Sequence, residues 1–162
     1  MSEIPRAKTA KTARRRRYRP LGFAEHNYIA EYIHLLVPAA RQSDHPMRDL
    51  ARWLIGIAMW RWTADGVRDD GRVVKDALKY DLGVHRATGA ARDAARTSTR
   101  GLRHEHVIPR DLLARRIIDG NPTVAEITDL LTRYCKAVIV TREEDARLLR
   151  RAMPPEWHWE DG

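Results

Sequence analysis

Cys135-Lys136-Ala137-Val138-Ile139-Val140-Thr141 carries the strongest β-strand signal in a chain whose other apolar residues recur mostly at helical spacing. It runs directly into Arg142-Glu143-Glu144-Asp145, an acidic helix start with Thr141 as N-cap and Glu144 at the third helical position. The partner strand expected for it is Leu102-Arg103-His104-Glu105-His106-Val107-Ile108-Pro109, which shows no helical stripe and is closed by a proline. A strand bearing acid and imidazole, then a second strand, then an acidic helix start, makes a frame in which a metal site can be built.

Everything else reads as helix or turn. Tyr28, Ile29, Tyr32, Ile33, Leu36 and Val37 predict a helix over 21–37, ended by Pro38. Ser43-Asp44-His45-Pro46 signals the next helix start, and that helix extends to about Thr63. It carries Trp53, Ile57 and Trp60 on one face and Ile55, Met59 and Trp62 on another, which predicts a helix buried on more than one side. Turns follow at Asp65-Gly66 and Asp70-Gly71. Residues 72–82 are expected as a short amphipathic helix with Val73, Val74, Ala77, Leu78 and Leu82 inward and Gly83 as its cap, and 84–99 as a solvated helix.

Beyond the first strand, 110–118 predicts a helix, and Thr123 with Glu126 makes a capping box for another. The last helix is expected from Arg142 to about Met153, with Ala146, Leu148 and Leu149 inward, stopped by Pro154-Pro155. Trp157-His158-Trp159 is expected to pack back onto the domain. The fold class expected is α+β and mostly helical: a basic arm over 1–20, a helical region over 21–100, and a small β-hairpin with helices over 101–162. Residues 21–162 are expected as one compact unit.

The formal net charge is +8, and it is concentrated at one end. Arg6, Lys8, Lys11, Arg14, Arg15, Arg16, Arg17 and Arg19 face Glu3 alone in the first twenty residues, so the rest of the chain is close to neutral. Such an arm has too few apolar residues to fold by itself and suits a polyphosphate. Arg14 to Arg17, Arg19 and Arg103 are the candidate nucleic-acid contacts. No apolar stretch reaches membrane length, and no apolar face alternates with the arm's charges, so no membrane partner is expected. The single cysteine, Cys135, excludes an internal disulfide framework and points to a cytoplasmic setting. Gly-rich phosphate loops, dinucleotide fingerprints and nucleophile elbows do not occur in the sequence.

Phosphodiester hydrolysis needs a base for water, a cation at the phosphate and stabilisation of the leaving oxygen. Adjacent residues near a strand's end can divide that work. Glu105-His106-Val107-Ile108-Pro109 resembles the acid-His-x-x-Pro opening of the HNH nucleases, the ββα-metal (His-Me finger) superfamily. Residues 135–148 resemble the closing strand and helix of the same motif. The resemblance covers roughly 101–155 and implies His106 as general base, with Glu105 and Asp145 as ligands of a divalent ion, Mg²⁺ or Mn²⁺. Asp145 stands where the family usually carries histidine or asparagine. His104, Asn121 and Glu144 are possible supporting residues. The implied activity is endonucleolytic cleavage of DNA. The alternative is a non-catalytic nucleic-acid-binding or protein-interaction module, of phage or mobile-element type, on a degenerate nuclease fold.

Deleting residues 1–19 removes eight basic side chains. Each phosphate contact contributes about 0.9 to the salt slope on duplex DNA. Binding isotherms over a salt series should show lower affinity and a shallower slope for the truncated chain.

Overall fold

The computed structural model describes residues 18–44, 46–148 and 153–159. Arg14 to Arg17 therefore lie outside the described residues. Among those described the chain is α+β and mostly helical, with six helices and two three-stranded sheets.

Strand β1 (Tyr18–Pro20) leads into α1 (Phe23–Arg41), and α2 (Arg48–Ala64) packs against it. Pro38 does not end α1. Proline there forfeits one i→i−4 hydrogen bond, but Val37 and Ala40 are buried on the inner face, and this holds the last turn in place. In α2 the Ile55, Met59 and Trp62 face is buried, whereas Trp53 is 60% and Ile57 37% exposed. The expectation of a helix buried on both faces is thus met on one side only. Of the other face, Trp60 is covered, by contact with His104 and Asp76.

The segment after α2 departs most from expectation. Residues 66–68 form β2 (Gly66–Arg68), flanked by β1 and by β3 (Val73–Val74), so 72–82 is a short strand and turns rather than a helix. Val73 pairs with Val67, and Leu82 is half-exposed rather than inward. Tyr18 to Pro20, assigned by composition to the arm, pair with 66–68. Gly66 is required at this crossing: a Cβ there would meet Leu78 Cγ at 3.0 Å and Tyr18 Cβ at 3.2 Å. Gly71 turns the β2–β3 hairpin at φ +83°.

The second sheet has the order β4 (Arg86–Ala87), β6 (Ala137–Thr141), β5 (Leu102–His106). β5 and β6 pair antiparallel from Leu102↔Thr141 to His106↔Ala137, and β4 pairs parallel to β6. The helix expected over 84–99 shrinks to α3 (Gly89–Ala95), because Thr88 caps it by accepting a hydrogen bond from Ala91 N at 3.1 Å. Between the strands of the hairpin lie α4 (Arg110–Gly120) and α5 (Val124–Tyr134), which close the main core against α1 and α2. Thr123 and Glu126 form the expected capping box of α5.

After β6, Thr141 and Glu144 cap α6 (Arg142–Asp145) as expected. The helix is far shorter than the sequence suggests: Ala146 and Leu148 are exposed, and it is Asp145 that is buried. Leu149 lies outside the described residues. The aromatic tail does pack onto the domain, with Tyr134 Oη donating to the Trp159 carbonyl at 2.7 Å and the two rings edge to face.

Ile55→Ala should cost about 2–5 kcal/mol, the range for truncating a fully buried aliphatic chain. Trp53→Ala on the same helix should stay within about 0.5 kcal/mol. Urea denaturation of the two variants beside the parent chain measures the contrast.

Candidate active site on the two faces of one strand

Side chains alternate across a strand, so β5 sorts its residues into two sets. Leu102, His104 and His106 share one face, and Arg103 and Glu105 share the other. The register with β6 fixes that sorting, setting His104 opposite Ile139 and Glu105 opposite Val138.

The imidazole face looks inward. His104 is 2% exposed and has the rings of Trp60, His85 and His106 around it, with centroids at 4.9, 4.8 and 5.6 Å. Among the described residues, neither ring nitrogen of His104 has a hydrogen-bond partner, and His85 Nε2 is likewise buried and unpartnered. Trp60 is held by its indole N–H, which donates to Asp76 Oδ1 at 2.8 Å. Asp76 N in turn donates to the buried Asp65, which also takes Arg61 Nε at 2.6 Å. That chain of bonds brings the 76–85 segment against β5.

Burial is the main reason His104 sits well below the usual histidine range, at about 4, with the His85 and Lys79 charges adding to the effect. His106 falls further, to about 3, again first through burial and then through His104 and Arg110. Its Nε2 lies 3.2 Å from Thr63 Oγ1, a hydrogen bond whose donor depends on the tautomer. Both imidazoles are therefore neutral near pH 7.

The Glu105 face looks toward α6. Glu105 and Asp145 line one cavity of about 530 Å³ with His106, Arg110 and Arg147. The same two carboxylates line an adjoining recess of about 520 Å³ with Arg103 and Arg142. Helix α6 packs across both strands of the hairpin, and so Asp145, the residue ending it, borders the same cavity as the β5 acid.

Of the residues singled out in the sequence, Glu105, His106 and Asp145 thus border one cavity. His104 is next to it but sealed inside. Glu144 is engaged elsewhere, accepting from Thr88 Oγ1 and Thr141 N, both at 2.8 Å. Asn121 is the left-handed C-cap of α4 at φ 49°, and it borders a different groove, between α4 and α5. Arg103 donates to its neighbour's carbonyl and still borders the recess. Arg19 is paired with Glu25 at 2.8 Å. Trp60, Thr63, His85, Arg110 and Arg142 belong to this region, although no local pattern in the sequence marks them.

Among the described residues, no three His, Cys, Asp or Glu side chains stand close enough to hold a metal between them. Two carboxylates bordering one cavity suit a different arrangement. Mg²⁺ keeps several waters and is commonly held by one or two carboxylates together with substrate phosphate. The donor set of Glu105 and Asp145 fits that ion and does not fit a closed zinc site.

Comparison of the chain with protein-family models, with curated proteins and with solved structures returned no match.

The folded pKa values of His104 and His106 lie below the ordinary histidine value of 6.5. The unfolded chain therefore binds the extra protons on acidification. Stability should be at its full value above about pH 6.5 and should fall as pH is lowered toward about 4 for His104 and about 3 for His106. Denaturant midpoints across this window should show the fall, and His104→Leu should show a smaller one.

Proposed function

We propose that this protein is a metal-dependent endonuclease of HNH type acting on DNA. The observation that carries the reading is that Glu105, His106 and Asp145 border one cavity. Glu105 and Asp145 would hold a divalent ion, which supplies charge neutralisation at the phosphate. His106, neutral near pH 7, is in the form that accepts a proton from the attacking water. The water oxygen attacks phosphorus, its proton passes to His106, and the P–O ester bond to the leaving oxygen breaks with that oxygen protonated from solvent. An anionic phosphodiester in the cavity would raise the imidazole's basicity above its value in the empty site. Arg103 and Arg142 border the adjoining recess, where further phosphates of the strand would be neutralised. The basic arm would add affinity without sequence preference.

One observation favours the alternative of a non-catalytic nucleic-acid-binding module on the same fold. The Nε2 of His106 is engaged by Thr63 in the interior rather than free toward the carboxylates. Activity decides between the two. His106→Ala should lower Mg²⁺- or Mn²⁺-dependent cleavage of plasmid DNA by about 10²–10⁴-fold and leave DNA binding nearly unchanged. Glu105→Ala and Asp145→Ala should raise the metal concentration needed. Asp145→His should retain activity and shift preference toward ions that accept imidazole, such as Zn²⁺ or Ni²⁺. A parent chain that cuts no DNA with any of these ions, and whose melting temperature none of them raises, would leave the binding module as the better account.

A further inference from the structure

A second cavity, of about 600 Å³, lies on the other side of Thr63 from the carboxylates. Its wall is assembled from both halves of the molecule: α1 and α2, the segment leading into β4, the end of α5, and the tail. Three features of its lining specify a ligand.

The first is flat aromatic surface. Trp62 borders it and is stacked on His26 with centroids 3.8 Å apart, while Tyr134 and Trp157 come from the opposite side. The second is positive charge at the rim. Arg86, Arg133 and Lys136 border the cavity and are exposed. Arg133 is shared with Asp129 at 3.2 Å, but among the described residues Arg86 and Lys136 have no carboxylate within ion-pair distance. The third is the state of the one acid in the wall. Asp65 is 2% exposed, and its two oxygens are taken by Arg61 Nε and Asp76 N, so it leaves the rim cations uncompensated.

Rings stack on rings, and unpaired guanidinium and ammonium groups bind phosphate. The volume lies within the range of ordinary ligand pockets. We propose that this cavity binds a nucleoside phosphate, with its base against the Tyr134 and Trp157 side and its phosphate at Arg86 and Lys136. The ligand is either a free nucleotide or a base turned out of a polynucleotide strand, since both present the same ring and phosphate. The assignment does not depend on the nuclease reading. The two sites are linked through Thr63, which lines this cavity and is hydrogen-bonded to His106 of the other.

The test uses the full chain in the presence of a chelator, with no cleavage measured. AMP, GMP, CMP and dTMP are titrated by calorimetry beside ribose 5-phosphate and inorganic phosphate. At least one nucleotide should bind ten-fold or more tightly than either control, and Arg86→Ala and Lys136→Ala should each weaken it by about tenfold. Both substituted residues are exposed, so the variants should melt with the parent chain. Trp157→Ala should weaken the nucleotides while leaving the weak binding of inorganic phosphate unchanged. Duplex DNA carrying 2-aminopurine separates the sources. A fluorescence rise that excess nucleotide reverses assigns an extruded base, and nucleotide binding with no such rise assigns a free nucleotide. Nucleotides that bind no better than ribose 5-phosphate, or that bind the Arg86→Ala/Lys136→Ala double variant as well as the parent, would overturn the proposal.

Discussion

The pairing register of β5 with β6 is the constraint on which this molecule turns. Side chains change face at every residue of a strand, so a shift of one residue would send Glu105 into the apolar interior and His104 into solvent. The register is anchored at both ends. Leu102, fully buried, lies opposite Thr141, the cap of α6, and beyond His106 the Val107 N–H donates to the Lys136 carbonyl at 2.9 Å. Because Thr141 is both the last strand residue and the N-cap, the register also sets where α6 begins and therefore which of its residues faces β5.

The two faces of β5 present opposite electrostatic environments a few ångströms apart. On one side, imidazoles and an indole are packed together, and among the described residues both nitrogens of His104 and the Nε2 of His85 lack a hydrogen-bond partner, an arrangement that costs desolvation energy and persists because the surrounding elements fix it. On the other, carboxylates and arginines border open recesses. His106 lies at the boundary, within the aromatic cluster and also on the cavity wall. Proton chemistry at such a position depends on what occupies the cavity more than on bulk pH.

Local signals in the sequence were sufficient wherever a local interaction decides the structure. The Thr123–Glu126 and Thr141–Glu144 boxes, the β5 and β6 strands and the α+β class were all legible, since each depends on residues within a few positions of one another. The short strands β3 and β4 were not. Two residues carry no periodicity, and what makes them strands is a partner far along the chain. Val73 and Val74 fitted a helical stripe equally well. The exposure of Trp53 and Ile57 was illegible for a related reason: α2 has two apolar faces, and only the packing of α1, α4 and α5 decides which one is covered. At the candidate site, Glu105, His106 and Asp145 were readable from motif and spacing. Trp60, His85 and Asp76 were not, because their contacts with β5 come through a network centred on Asp65. Glu144 was legible as the α6 cap residue, and its second partner, Thr88, was not, because that contact spans 56 positions.

The order of the strands in the second sheet has a kinetic consequence. Its central strand is the last in the sequence, and both neighbours come from far upstream: Arg86 pairs with Val138, 52 positions on, and Leu102 with Thr141, 39 positions on. Closing loops of that length is slow compared with forming the contacts of neighbouring helices. The α1–α2 layer can therefore be in place while the sheet is still open. Until β6 docks, α6 has no platform and Asp145 has no reason to be near Glu105. Bringing the two acids to one cavity therefore depends on the docking of β6.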